Sequence, residues 1–156
     1  MDGLHKYIQS KLNDLTGDWI GKKSGYEQDA CANLGFTHSS NRYWDCTHNN
    51  LFIEIKKGKS IWLDEIRYAE ILLSQQSGAT DSKNNTITIF IIPATDKKTI
   101  NKIYIVDTKK IIKFLNLTPE WCEQLIKRHK EVVRSLNCQQ SMTLKDVRQL
   151  ADYIVE

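Results

Sequence analysis

The chemically suggestive residues lie close together, in Trp44-Asp45-Cys46-Thr47-His48-Asn49-Asn50-Leu51-Phe52-Ile53-Glu54-Ile55-Lys56. Leu51 to Lys56 reads as a β-strand. Glu54 and Lys56 are two residues apart, so they project from one face while Ile53 and Ile55 point the other way, into a core. Asn49-Asn50 reads as the turn of a hairpin whose other arm is Arg42 to Cys46, and that pairing lets Asp45 approach Glu54. Two carboxylates converging on one spot suit a hard divalent cation such as Mg²⁺, with Mn²⁺ as a substitute. The backbone carbonyl of Ile55 can add a further oxygen ligand. A lysine beside such a metal can orient or help deprotonate a bound water, and can stabilise charge developing on a phosphate. The metal lowers the pKa of that water and offsets the charge of a pentavalent transition state. Together these groups form the equipment for hydrolysing a phosphodiester.

Alternating Glu and Lys on an edge strand is commonly no more than a solvated face, so the argument needs its surroundings. Asp45 stands at a suitable distance upstream. Glu27 lies on a preceding helix, just after Gly25. Ser24-x-x-Glu27 also reads as a capping box, which gives Glu27 a purely local alternative. Asp29 and Asp64 are weaker acidic candidates. Lys22 and Lys23 precede the helix, Arg42 precedes Asp45, and Lys57, Lys59 and Arg67 follow the motif. Such side chains can meet phosphates flanking a scissile bond, which fix register without reading sequence.

Hydrophobic spacing supplies the elements that must hold these residues. Leu4, Ile8, Leu12 and Leu15 predict a helix over 3–15, and Gly35 ends a second over 25–34. Thr86 to Pro93, TITIFIIP, is a continuous apolar run expected to be a strand buried on both faces. Ile103 to Asp107 predicts another strand. Helices are expected over 61–76, 108–116, 119–136 and 143–155, with Thr118-Pro119 and Thr143 as start signals. The alternation argues for an α/β domain with a mixed central β-sheet flanked by helices. The polar stretch Ser74 to Asn85 reads as a loop, and Asp96 to Lys102 as a basic turn between strands.

The chain has 156 residues, 26% charged and 40% hydrophobic, which fits one domain over 1–156. Its apolar runs are too short to cross a bilayer. Met1 to Leu15 shows no signal-peptide core, so a cytoplasmic protein is expected. A net charge of +3 permits a nucleic-acid partner without demanding one. Cys31, Cys46, Cys122 and Cys138 form no CxxC pair, so neither a disulfide framework nor a zinc ribbon is expected. A zinc site built on Cys31, His38, Cys46 and His48 is disfavoured by the irregular spacing.

The order of Gly25-Tyr26-Glu27, then Asp45, then Glu54-Ile55-Lys56, then a helix and the strand Thr86 to Pro93 resembles the PD-(D/E)XK nuclease superfamily, most like its type II restriction endonucleases. The resemblance covers roughly residues 24–107 and leaves 108–156 as a C-terminal helical part. Trp44 stands where that family's motif has a proline. The resemblance implies a restriction-endonuclease-like core and Mg²⁺-dependent cleavage of double-stranded DNA, leaving a 5′-phosphate and a 3′-hydroxyl. It implies Asp45 and Glu54 as metal ligands, Lys56 as the lysine acting on the attacking water, and Glu27 as a helical acidic residue that assists. Cutting two antiparallel strands with one site per chain implies a homodimer. A Holliday-junction resolvase or a homing endonuclease would use the same active site. A non-catalytic interaction domain, with Asp45, Glu54 and Lys56 as a surface ion cluster, is the reading from a different class.

Overall fold

The structure, a computed structural model, describes residues 1–39, 44–77, 85–131 and 138–156. Arg42 and Tyr43, the start of the expected strand Arg42 to Cys46, lie outside them; of its other residues only Cys46 is in a strand, because the arm that pairs with Leu51 onward is Cys46–His48, next to the turn. Most of the loop expected over 74–85 and the end of the helix expected over 119–136 also lie outside the described residues. The elements in chain order are α1 (Asp2–Lys11), α2 (Glu27–Leu34), β1 (Thr37–His38), β2 (Cys46–His48), β3 (Leu51–Lys57), β4 (Ile61–Asp64), α3 (Glu65–Ser77), β5 (Thr86–Pro93), β6 (Ile100–Asp107), α4 (Thr108–Phe114), α5 (Pro119–Glu131), β7 (Gln139–Met142), α6 (Leu144–Leu150) and β8 (Tyr153–Val155). Short 3₁₀ turns at Leu12–Asp14 and Asp18–Gly21 link α1 to α2.

Six strands form a mixed sheet in the order β1-β2-β3-β5-β6-β8. β1, β2 and β3 are antiparallel neighbours, β3 and β5 are parallel, and β5, β6 and β8 are antiparallel again. The α/β class with a mixed, helix-flanked sheet is therefore the one expected. Asn49 and Asn50 both take positive φ, 46° and 66°, between the paired His48 and Leu51. That is the two-residue turn whose twist matches a hairpin, and asparagine tolerates it better than most side chains. The parallel step from β3 to β5 needs a crossover, which α3 provides.

The sheet separates two cores. On one face Ile53, Ile55, Ile87, Ile89 and Ile105 pack with Leu4, Ile8, Ile20, Ala30 and Leu34 from the α1–α2 side. On the other, Phe90, Ile92, Tyr104 and Val106 pack with Ile66, Tyr68, Ile111 and Leu125 from α3, α4 and α5. β5 is buried along nearly its whole length, as its sequence predicts. Gly35 closes α2 at φ 71°, and a Cβ there would sit 2.5 Å from the Tyr7 hydroxyl, so both backbone and space call for glycine.

Several expectations give way to local chemistry. Ile61 to Asp64 forms β4, not the start of a helix: Ile61 and Leu63 are buried while Trp62 and Asp64 are exposed, a period of two. β4 pairs with β7 in a separate two-stranded sheet. The helix expected over 143–155 stops at Leu150, and β8 adds to the main sheet beside β6. Val155 is buried and Ile154 exposed, again a period of two. The start of that helix is as expected, since the Thr143 side chain accepts from the Asp146 N–H and the Asp146 side chain accepts from the Thr143 N–H. Cys31 and Cys46 are joined by a disulfide, against the expectation of free thiols. Cys31 on α2 and Cys46 on β2, both 0% exposed, lie in the same core, which brings the two sulfurs together although their spacing in sequence is irregular. No helix among the described residues is long and apolar enough to cross a membrane.

Candidate active site

The hairpin delivers Asp45 to Glu54. Cys46 pairs with Ile53, and the Asp45 N–H donates to the Ile53 carbonyl at 2.9 Å. The Asp45 side chain then turns onto β3: its Oδ2 accepts the Ile55 N–H at 2.7 Å. This bond fixes the carboxylate beside the strand at the residue following Glu54. The Asp45 carbonyl accepts the Ser39 N–H, and Cys46 is tied by the disulfide to α2, so the entry to β2 is held from both sides.

Glu54 and Lys56 project toward α3, as their two-residue spacing predicts. In the parallel register Glu54 stands beside Thr88 and Lys56 beside Phe90, on the face that α3 covers. The Glu54 side chain is only 2% exposed. Its counter-ion comes from α3. Arg67 Nη1 donates to both carboxylate oxygens of Glu54, at 2.8 Å each, and lies 3.7 Å from Asp45 Oδ1. Lys56 Nζ is 3.8 Å from Glu54 Oε1. Asp45 and Glu54 thus face one cationic group between them, with Lys56 alongside.

Local structure explains why Arg67 arrives there. Asp64 Oδ1 accepts the Ile66 N–H at 3.0 Å and so caps the start of α3. Arg67 lies in the first turn, with its stem directed across the sheet face. Asp64, a weaker acidic candidate from the sequence, is therefore a helix cap. Tyr68 is fully buried behind the site.

Burial dominates the electrostatics. It raises the Glu54 carboxyl from 4.5 to about 7, and the charge of Asp45 adds to the rise, while Arg67 and Lys56 oppose it. Burial also raises Asp45; the Ile55 N–H and the Arg67 charge work against that rise. For Arg67, burial works to lower the pKa, but the charges of Glu54 and Asp45 outweigh it and hold the group above its ordinary value. Burial and then the Glu27 charge push the Tyr26 hydroxyl up to about 12.

Glu27 is the first residue of α2, and the helix has no side-chain cap bond. The Ser24–Glu27 capping box is not formed, because Tyr26, not Ser24, precedes the first helical residue. An acidic residue in this first turn still favours the helix dipole. Its charge is felt at Asp45, Tyr26 and Lys57, yet it does not join the Asp45–Glu54 pair. Among the described residues no group of three or more His, Cys, Asp and Glu side chains converges to hold a metal. The all-oxygen pair Asp45 and Glu54 is the donor set that suits Mg²⁺, which keeps several waters and uses one or two carboxylates. Zinc has no basis at Cys31 and Cys46, whose sulfurs are joined.

Four of the six lysine and arginine candidates share one place. Lys22, Lys23, Lys57 and Lys59 line a cleft of about 680 Å³ at the end of β3, joined by Lys97 from the β5–β6 turn. Lys57 points away from Lys56: its Nζ donates to the Lys22 carbonyl at 2.6 Å and sits 4.6 Å from the Tyr26 ring centre. Lys22 is paired with Asp29 at 2.7 Å. Asp29 is thus a surface ion-pair partner. The sequence pointed to Arg67 only as a phosphate contact; nothing in its spacing from Glu54 signalled a carboxylate partner. Lys97 belongs to the basic turn expected over Asp96 to Lys102, and the fold brings that turn to the cleft.

No known protein family matches the chain, and no curated protein matches it.

Proposed function

We propose that this chain is a Mg²⁺-dependent DNA endonuclease of the PD-(D/E)XK type, acting on double-stranded DNA at a specific sequence as a type II restriction enzyme. One observation carries the reading. Asp45 and Glu54 face the same point beside Lys56, at the meeting of a hairpin and a parallel strand joined to it by a crossover helix. The helix α2, the hairpin β2–β3, the helix α3 and the strand β5 follow one another in the order that the resemblance implies, with the short β4 added ahead of α3. Asp45, Glu54 and the Ile55 carbonyl would hold the cation, and Mn²⁺ would substitute. A bound Mg²⁺ supplies activation of water and offset of negative charge at phosphorus. Lys56 orients the attacking water and stabilises the phosphoryl oxygens. The water oxygen bonds to phosphorus as the bond to the 3′ oxygen breaks, leaving a 3′-hydroxyl and a 5′-phosphate. The lysine cleft tracks the flanking backbone through charge alone. A homodimer in the cytoplasm is the assembly this reading expects, with two sites for two strands.

The Arg67 bond to both oxygens of Glu54 favours a second reading, in which the ion cluster is purely structural and the domain binds without catalysis. One experiment separates them. Purified protein is incubated with supercoiled plasmids and with an immobile four-way junction, in Mg²⁺ and in EDTA, alongside Lys56→Ala and Asp45→Ala. Discrete double-strand fragments in Mg²⁺, lost in both variants, are expected. Symmetric nicking of the junction alone would move the assignment to a resolvase. Absence of cutting on a broad set of DNAs, together with no Mg²⁺ or Mn²⁺ binding that depends on Asp45, would overturn the nuclease reading.

A further inference from the structure

We infer that Arg67 is a resident counter-ion that holds the place of the metal between Asp45 and Glu54 and must give it up for a divalent cation to bind. The inference rests on the nuclease reading for the metal itself. Its own basis is where the carboxylate lone pairs go. Arg67 Nη1 engages both Glu54 oxygens at 2.8 Å and faces Asp45 Oδ1 at 3.7 Å. Asp45 Oδ2 is committed to the Ile55 N–H at 2.7 Å. Glu54 is sealed elsewhere by the sheet and by α3, with 2% of its side chain exposed. The oxygens a cation would need are therefore those turned toward the guanidinium. A Mg²⁺–oxygen bond is roughly 2.1 Å long, so the metal and Nη1 cannot occupy that point together.

Such a counter-ion has a physical purpose. Two carboxylates this close, largely removed from water, would repel each other and draw protons without a cation. A guanidinium is charged at every working pH, so it opposes that repulsion and holds the pair assembled before metal arrives. It also has a way out. The Arg67 side chain is 31% exposed, so it can turn toward solvent without opening the apolar core around Ile66 and Tyr68. Lys56, at 3.8 Å, makes the weaker contact and need not move.

The test is binding of Mn²⁺ and Mg²⁺ to DNA-free protein by calorimetry, for wild type, Arg67→Lys and Asp45→Asn. The arginine Nε–H signals are followed by NMR in the same titration. The chain has five arginines, so the Arg67 signal is identified by its loss in Arg67→Lys. The expected result is an Arg67 signal that changes as Mg²⁺ saturates the wild type. Arg67→Lys should bind Mn²⁺ about tenfold tighter, because a more strongly hydrated ammonium gives up Glu54 to solvent more readily, by roughly the worth of one charge-assisted hydrogen bond. A variant damaged in its fold would bind more weakly, not more tightly. Binding that requires Asp45 but leaves the Arg67 signal unmoved would overturn the inference and spare the nuclease reading. No Asp45-dependent binding in any of the proteins would overturn both. The wild-type NMR titration decides the matter even if Arg67→Lys folds poorly, since Arg67→Gln then serves to identify the signal.

Discussion

Metal-free protein should lose stability as the pH is raised, and Glu54 should be the reason. Its carboxyl goes from an ordinary 4.5 to about 7 in the fold because it is buried with Asp45 beside it. The neutral acid is the form the fold tolerates. That contribution is whole below about pH 4.5 and is lost as the pH climbs through about 7. A tenfold change in proton affinity corresponds to about 1.4 kcal/mol, so the rise is worth roughly 3 kcal/mol. The side chain is almost fully enclosed, so solvent screening takes little from that figure. It is a large share of the roughly 5–15 kcal/mol that holds a domain of ordinary size folded. The assay is urea unfolding in chelator at about pH 5 and about pH 8, for wild type and Glu54→Gln. Glutamine is neutral at both, so the variant should lose about 3 kcal/mol less than wild type between them. Titrating groups away from the Asp45–Glu54–Arg67 cluster cancel in that comparison. Parallel pH curves, or a wild type that gains stability relative to the variant as pH rises, would refute the reasoning. The second result would mean that Arg67 holds Glu54 below its ordinary pKa and that pairing, not burial, governs the site.

Three further outcomes follow from the structure. Lys56→Ala should lower the cleavage rate by roughly 10² to 10³, with Mg²⁺ affinity changed far less, as expected when a group stabilises developing charge; single-turnover cleavage with parallel calorimetry reads both. Reducing the disulfide, or replacing both Cys31 and Cys46 by serine, should lower unfolding stability by about 3 kcal/mol, the loop-entropy value for a crosslink across a separation of 15 residues; denatured, unreduced protein should show two titratable thiols, Cys122 and Cys138, and four would count against the crosslink. Lys23→Ala and Lys59→Ala should each weaken DNA binding uniformly across sequences and reduce its log–log salt dependence by about one phosphate contact; an unchanged slope would place the backbone elsewhere.

Much of the frame could be read from residue order. β3 and β5 were legible because their patterns leave little choice: Ile53 to Lys56 alternates apolar and charged residues, while Thr86 to Pro93 carries no charge and has to lie inside a sheet. Asn49-Asn50 was legible because few other dipeptides turn a hairpin so tightly. The approach of Asp45 to Glu54 followed from that hairpin alone. β4 and β8 were harder, since three or four alternating residues next to helical stretches fit either period until partners such as β7 and β6 decide. The pairing of Arg67 with Glu54 could not be found, because a long side chain on one element reaching a carboxylate on another leaves no spacing rule behind. The Cys31–Cys46 link was hidden for the same reason, since it depends on how α2 lies on the sheet. Ser24 and Glu27 fit a capping signature, but the helix begins too late for Ser24 to use it.

The division of the sheet into two unlike faces has a consequence for errors in folding. β3 carries isoleucines toward α2 and charged groups toward α3. A slip of one residue would turn Ile53 and Ile55 into the charged site and bury Glu54 and Lys56 among the side chains of α1 and α2. The same mistake that empties the core also dismantles the site. Under the proposed activity, a misfolded copy would be unable to cut, so a protein dangerous to its own genome would fail in its harmless form.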